Sequence, residues 1–523
     1  MNLELLKEIS GELQEQVQYN REQAIQSKDN ERLIEYRNSL KKAVSMPPYI
    51  RYHENSKNPK KSCWVVDTKE MAKYIRKDAK YLFARNKATE GINRYWYRNG
   101  VYKLISDDEF KGYIKKYIMD YTEIDFIKWD MGNVLEVFRD LTTDTDNFIA
   151  IDELNTNENI INFENGLYHI DTGELTPHTP KIYSTIQIPC SYNPNSASKS
   201  TTVFDKFMNE FTDGDEEKKR LLLQYIAVAI SNIYGYRFKK GLIVVGKGNS
   251  GKSRLKEFTE SLLGIENFSN TDLETLEKRF GTSCLYNTRL VGSSDMTNPT
   301  VKALANFKQA VGGDSIMIEF KGRTAFYYTY KGLFWYCCNQ LPKFGGDTGE
   351  WVYDRFIVLR VDNVIPVEKR DKHLNEKLFQ EREAIIAKYL IPALKQVIEN
   401  NYNFDIPESC NMELERYKEE NSVVIQFYKE CCTERPQERI NDNCTTKKMY
   451  DIFKEWCKDN SRNGYTPSKL EFNRQLAEMF YIDDIKLKMK KVKGNWYYIF
   501  TLNQETKKDF EKVYGTDLIC TNE

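Results

Sequence analysis

The stretch GKGNSGKS (246–253) has the residue types and spacing of a loop that holds phosphate. Glycines let a backbone curl until successive N–H groups converge on phosphate oxygens. In such a loop Gly246, Gly248, Asn249, Ser250 and Gly251 supply main-chain donors. Lys252 supplies an ammonium for the β- and γ-phosphates, and Ser253 a hydroxyl for Mg2+. ATP with Mg2+ is therefore the expected pair of ligands. A loop of this kind must be held by elements on both sides. LIVV (242–245) reads as a short buried strand. RLKEFTESLLG (254–264) reads as a helix with Leu255, Phe258 and Leu262 on one face and Gly264 as its stop. A chance occurrence in a surface loop would have neither flank.

Triphosphate chemistry also needs a strand-end carboxylate to hold the metal. TRLVGSSDM (288–296) offers Asp295. VKALANFKQAVGGD (301–314) reads as an amphipathic helix stopped by Gly312-Gly313. SIMIEFKGRTAFYYTY (315–330) alternates apolar and polar residues around Lys321-Gly322-Arg323, the pattern of a β-hairpin with a basic tip. KGLFWYCCNQLP (331–342) is an apolar strand ending in Asn339, and GEWVYDRFIVLRV (349–361) places Arg355 just ahead of a fourth strand.

This order of motifs resembles the superfamily 3 helicases, and within them the phage and plasmid primase-helicase family related to the poxvirus type. The replication initiators of staphylococcal pathogenicity islands are similar as well. The likeness covers about residues 90–500, and NFENGLYHIDTGELTPHTP (162–180) resembles the domain that precedes the helicase. The resemblance implies an ATP-hydrolysing DNA helicase and replication initiator that melts the origin of a mobile element as a ring, a hexamer by analogy. Lys252 and Ser253 would hold phosphate and Mg2+, and Asp295 would be the metal-holding acid. Asn339 would position the attacking water, and Arg355 would act as an arginine finger on the nucleotide of the neighbouring subunit. Lys239 would be a second trans-acting cation, one residue out of register. Lys321 and Arg323 would grip single-stranded DNA in the channel. GSSD departs from the more acidic stretch usual in the family, so the general base stays open, with Glu350 and Asp314 as further carboxylates. Physics supports the trans arrangement independently: charge developing on the γ-phosphate needs a cation, and one that arrives only on assembly makes hydrolysis depend on the ring. A basic hairpin would hold backbone phosphates without reading bases. The plainer alternatives are a solvated turn at 321–323, an ion pair of Arg355 with Asp354 or a neighbour, and a strand-end cap at Asn339.

TTKKMYDIFKEWCKDN (445–460) reads as a helix with Tyr450, Phe453 and Trp456/Cys457 on one face. SKLEFNRQLAEMF (468–480) reads as a second helix, with Ser468 as N-cap and Glu471 completing a capping box. IKLKMKKVKGNWYYIFTL (485–502) reads as two strands joined at Gly494-Asn495. Together they make a winged helix whose second helix would enter the major groove of origin duplex. Lys469, Asn473 and Arg474 would touch DNA, and Lys486, Lys488, Lys490, Lys491 and Lys493 would line the wing. Alternation with Ile485, Leu487, Met489 and Val492 would bury one face and leave a cationic strip, although such lysine runs are usually only solvated.

The fold class expected is α/β and multi-domain: an AAA+-like P-loop ATPase core, an α+β N-terminal region and a C-terminal winged helix. The divisions are a helical N-terminal region at 1–90 (helical spacing over 3–44), an α+β domain at 91–200, the ATPase at 201–368, a helical connector at 369–436 and the winged helix at 437–523. SYNPNSASKSTT (191–202) reads as a linker, and RYWYRNGVYKLI (94–105) as a hairpin turning at Asn99-Gly100. Lys+Arg and Asp+Glu are both 77, so net charge names no partner. Eleven cysteines without C-x-x-C spacing and four histidines argue against a disulfide framework and a His/Cys metal site. No apolar run approaches ~18 residues and the acidic N-terminus is not a signal sequence, so a soluble, cytoplasmic protein without a membrane segment is expected. Two other readings compete. One is an ATP-regulated DNA-binding initiator without unwinding. The other is a primase, which needs paired carboxylates on a strand, whereas Asp144 and Asp146 sit in polar LTTDTDN (141–147) and read as a loop. The first 90 residues do not choose between DNA loading, subunit contact and docking of a host protein.

Overall fold

The computed structural model describes residues 19–20, 46–55, 57, 63–85, 92–119, 127–296, 300–301, 304–322, 324–344, 350–435, 444–459 and 466–514. Most of the expected helix over 3–44, and Arg323 at the hairpin tip, lie outside them. Within them the chain is a mixed α/β, multi-domain protein with four hydrophobic cores.

The first core gathers β1 (Ile50–His53), β2 (Cys63–Val66), α1 (Thr68–Asp78), β3 (Tyr81–Arg85), β4 (Ile92–Arg98), β5 (Val101–Ile105), α2 (Asp107–Met119), β6 (Ile127–Lys128), α3 (Met131–Thr142) and β7 (Phe148–Ala150). The sheets run β1-β2-β6 and β5-β4-β3-β7. Helix α1 starts where the Asp67 carboxylate accepts from the Glu70 N–H, and it buries Met71, Ala72 and Ile75. The hairpin β4–β5 turns as expected at Asn99 and Gly100, both with positive φ. The expected boundary at residue 90 is corrected: β3 pairs with β4 from Tyr81↔Trp96 to Arg85↔Ile92, so a cut there would split a sheet. The strands at 63–66 and 81–85 are four- and five-residue runs lodged beside charged helix-like sequence, and each is held between a near partner (β1, β4) and a remote one (β6, β7).

Strands β8 (Ile160–Phe163), β9 (Gly166–His169) and β10 (Leu175–Thr176) form an antiparallel meander. The segment after it is not a free linker. Tyr192 is buried and stacks on Phe163 at 5.3 Å, and Ser196 and Thr201 are buried too. Asn165 clamps the Tyr192 backbone through both its carbonyl and its N–H. Part of this polar composition is satisfied internally, as Thr201 is by the Asp205 carboxylate, while Ser196 Oγ is buried without a partner.

The central unit contains α4 (Thr202–Thr212), α5 (Glu216–Ile230), β11 (Gly241–Val245), α6 (Lys252–Leu263), β12 (Phe268–Asn270), α7 (Leu273–Leu276), β13 (Leu290–Met296), β14 (Thr300–Val301), α8 (Ala305–Gly312), β15 (Ser315–Ile318), β16 (Phe326–Thr329), β17 (Leu333–Cys338), β18 (Lys343–Phe344) and β19 (Phe356–Arg360). Its sheet is wholly parallel, in the order β12-β13-β17-β11-β19. β11 and β17 are buried at every position, which explains their unbroken apolar runs. Chain order reverses at β11, so a crevice opens at the carboxyl ends of the strands beside it. One face packs on α4, α5 and α6. The other packs on the β15–β16 hairpin and on Tyr95 of β4.

Helices α9 (Leu374–Gln380), α10 (Arg382–Ile385) and α11 (Ile391–Glu399) return to the first of these faces. They are followed by α12 (Glu408–Asn421), α13 (Val423–Cys431), β20 (Cys432–Glu434), α14 (Thr446–Asp459), α15 (Lys469–Met479), β21 (Met489–Val492), β22 (Asn495–Tyr498), β23 (Phe500–Leu502) and α16 (Gln504–Tyr514). Two expectations change here. Val424 and Phe427 of α13 share a core with Phe453, Trp456 and Phe472, and β20 pairs with β23. The last unit therefore begins near residue 422, ahead of the expected 437. Residues 485–488 form a 3-10 turn, not strand, and Leu487 is 72% exposed. The Ile485/Leu487 alternation thus does not make a buried strand face.

Candidate functional site

The loop that follows β11 is built by close packing. A Cβ on Gly246 would lie 1.8 Å from the Val361 carbonyl oxygen, so the backbone just past β19 seals the loop from one side. Gly251 has φ +90, a left-handed conformation suited to glycine, and acts as N-cap of α6. The loop thereby feeds directly into the positive end of a twelve-residue helix.

Lys252 is buried, and its ammonium donates to the carbonyls of Gly246 and Lys247 at 2.8 Å each. It also donates to Ser250 Oγ and Asn339 Oδ1, each at 3.3 Å. Burial pulls its pKa below the ordinary lysine value, while the carboxylates of Asp295 and Asp362 act in the opposite sense. Ser253 Oγ donates to the Ser294 carbonyl at 2.8 Å, next to Asp295, which is exposed at the end of β13. Lys252 with Ser253, Asp295 and Asn339, from three separate stretches of the sequence, thus meet at the carboxyl edge of the sheet. Among the described residues no three His, Cys, Asp or Glu side chains cluster to hold a metal. One hydroxyl beside one carboxylate is the donor set suited to Mg2+ shared with phosphate oxygens.

Arg355 and Lys239 lie elsewhere. Phe356 pairs with Gly241, so Arg355 precedes the amino end of β19. Five residues of β11 at about 3.3 Å each put it roughly 16 Å from the loop of its own chain. Arg355 acts on Lys240, whose ammonium donates to the Asp354 carbonyl at 2.6 Å. Lys239 is exposed beside it with φ 51. Arg355 forms no ion pair among the described residues, so the pair with Asp354 is not seen. Asp314 also sits at this amino edge, next to Gly313, whose added Cβ would meet Tyr236. It is therefore set apart from the glycine loop as a carboxylate; the side chain of Glu350 is outside the described residues.

The hairpin β15–β16 forms in register, with Ile316, Ile318, Phe326 and Tyr328 buried and Lys321-Gly322 exposed at the tip. In the last unit Ser468 caps α15 by accepting from the Glu471 N–H at 3.2 Å. The Glu471 carboxylate does not close the box; it is taken by Arg474 and Gln475. Asn473 accepts from the Tyr498 hydroxyl, so it is committed to holding β22 on the helix. Lys469 is exposed, as are Lys490, Lys491 and Lys493, while Lys488 lies over the Phe480 ring. Asp144 caps a short turn and pairs with Arg76, in keeping with a loop role.

Three further residues at or near the central sheet are not evident from motif reading. Arg289 is 3% exposed and donates to the carbonyls of Val228, Ala229, Ile233 and Lys331. Arg360 and Asp362 flank the glycine loop at the carboxyl end of β19. Only the pairing of β19 directly beside β11, which sets Arg360 opposite Val245 across more than a hundred residues, reveals them.

Residues 50–213 match a family model described as D5 N terminal like, residues 244–355 a family of unknown function (DUF5906), and residues 419–515 one described as Poxvirus D5 protein-like. Solved structures similar to the chain include the A form apo structure of the NrS-1 C terminal region. It is 14% identical, with 80% of this chain and 84% of that chain covered at a TM-score of 0.42. A second apo structure of the NrS-1 C terminal region is 13% identical, with 82% and 98% covered at the same TM-score of 0.42. The two D5-type matches thus lie on either side of the segment that holds the glycine loop. No described helix is long and apolar enough to cross a membrane.

Proposed function

We propose that the chain is an ATP-hydrolysing DNA helicase that opens the replication origin of a mobile element, acting as a ring of about six copies. In this reading residues 201–368 are an AAA+-like P-loop core, and α13 to β23 include a winged helix that docks origin duplex. The observation that carries it is the split of the polar groups: Lys252, Ser253, Asp295 and Asn339 at one edge of the sheet, Arg355 and Lys239 at the other.

Lys252 would exchange its loop carbonyls for β- and γ-phosphate oxygens of ATP, and the α6 N-terminus would add main-chain donors. Ser253 and Asp295 would hold Mg2+, which when bound spreads the charge of the transferring phosphoryl group. Asn339, exposed at the end of β17 and already touching Lys252, would orient the attacking water. Arg355 would reach the γ-phosphate bound by the adjacent copy, supplying the last cation only on assembly. Lys321, with Arg323, would then bear on the single strand as the hairpin moves, and Lys469 and the wing lysines would engage duplex phosphates.

Mixing tests the reading. Lys252→Ala and Arg355→Ala proteins should each lose ATP turnover by 100-fold or more and displace no strand from a tailed duplex. A mixture should recover turnover, because some interfaces then pair an intact loop with an intact arginine. Absence of recovery between two folded, assembling variants overturns the trans arrangement. Wild-type hydrolysis without strand displacement would leave an ATP-regulated initiator instead.

A further inference from the structure

Arg360 ends β19 in register with Val245, the residue before Gly246. Its Nη2 is ion-paired with Glu413 of α12, and its Nη1 lies 3.7 Å from Asp362. Its Nε is buried and has no hydrogen-bond partner. Asp362 acts on Lys252, and the Cys338 thiol feels Lys252, Arg360 and Asp295 together, so the guanidinium shares the surroundings of the glycine loop. A guanidinium with an unused buried N–H can take a second oxyanion, and phosphate matches its planar fork as well as carboxylate does.

Glu413 is the element's other half. It is 9% exposed, and apart from Arg360 its nearest cation is Arg416, at 4.0 Å. Losing Arg360 would leave a largely buried carboxylate under-compensated, a costly state that a shift of α12 relieves. That helix runs through Ser422 directly into α13. Ser422 Oγ donates to Gln475 of α15 at 3.0 Å, and Gln475 donates to Glu471 at 2.7 Å, the residue that holds Arg474. Arg360 is therefore joined, through Glu413, the length of α12 and Ser422, to the helix that carries Lys469.

We propose that Arg360 and Glu413 form a phosphate-responsive latch: the terminal phosphate of a nucleoside triphosphate draws Arg360 from Glu413, and the freed α12 resets the grip of the C-terminal unit on duplex DNA. The latch rests on the glycine loop being the triphosphate site and the last unit a DNA-binding one. Its two states differ in which oxyanion Arg360 holds, so ligand and duplex are linked by one coupling factor.

The test uses the full chain, a fluorescent duplex at fixed salt, and a non-hydrolysable ATP analogue with Mg2+. Wild-type duplex affinity should change about fivefold or more when the analogue is added, and duplex should shift analogue affinity by the same factor. Glu413→Gln should bind the analogue more tightly, since the competing charge is gone, and its duplex affinity should no longer respond. Arg360→Gln, folded as judged by its unfolding transition, should bind the analogue more weakly and also fail to respond. A wild type whose duplex affinity ignores a bound analogue, or a Glu413→Gln protein that responds as wild type does, overturns the latch. Failure of the underlying reading looks different: Lys252→Ala would then bind the analogue as well as wild type, or neither would bind it.

Discussion

Lys252 and Arg289 are cations taken out of water for opposite purposes. Lys252 faces a loop whose carbonyls sit on one side only, and burial holds its pKa down, so an anionic ligand improves its surroundings. Arg289 is enclosed by carbonyls from the end of α5 and from Lys331, and burial lowers its pKa to about 10, still charged at neutral pH. It ties the last turn of α5 to the amino end of β13. Arg289→Met leaves those carbonyls buried without donors, and should cost roughly 3–5 kcal/mol. Denaturant unfolding reads that loss directly. Analogue binding at the glycine loop, measured at low temperature where the variant is folded, should stay within about twofold of wild type. A variant as stable as wild type would show that water replaces the guanidinium.

At the level of elements, legibility followed locality. Strand, glycine loop and helix over 241–263 lie within one short window, as does the Asn99-Gly100 turn, and both formed as their spacing implied. The hairpin at 315–329 did too, because its two strands are near neighbours. Misreadings fell where a partner is remote. β3 pairs with β7 some sixty-five residues on, β20 with β23 across some seventy residues, and the 191–202 segment is ordered by Phe163 and Asn165. The same holds for the candidate site: Lys252 and Ser253 are legible from spacing, whereas Arg360, Asp362 and Arg289 matter through register and burial that no window contains. One boundary is directly checkable. A fragment starting at residue 437 lacks β20 and the Val424 and Phe427 side chains of its core. Burying two such side chains is worth about 3–6 kcal/mol, comparable with the whole stability of a small unit. The 437–523 fragment should show no cooperative thermal transition, while one starting at 419 should. Equal melting of the two would return the boundary to 437.

For the whole molecule the decisive fact is that all five strands of the central sheet point the same way. Groups at strand ends are thereby sorted, with the glycine loop, Asn339 and Arg360 on one rim and Lys239, Lys240 and Arg355 on the other. If a site is completed between copies, specific ATP turnover should climb with protein concentration and level off only where assembly saturates. Turnover per chain that stays flat from nanomolar to micromolar, with no assembly present, would mean that one copy suffices.

That sorting also limits the symmetry available. If Arg355 completes the site of another copy, a two-fold pair could satisfy only its own two sites, whereas head-to-tail contacts serve every copy and either close on themselves or continue as an open spiral. Direction is thus inherited from the sheet: a chain of these protomers has a front and a back before any nucleic acid enters it.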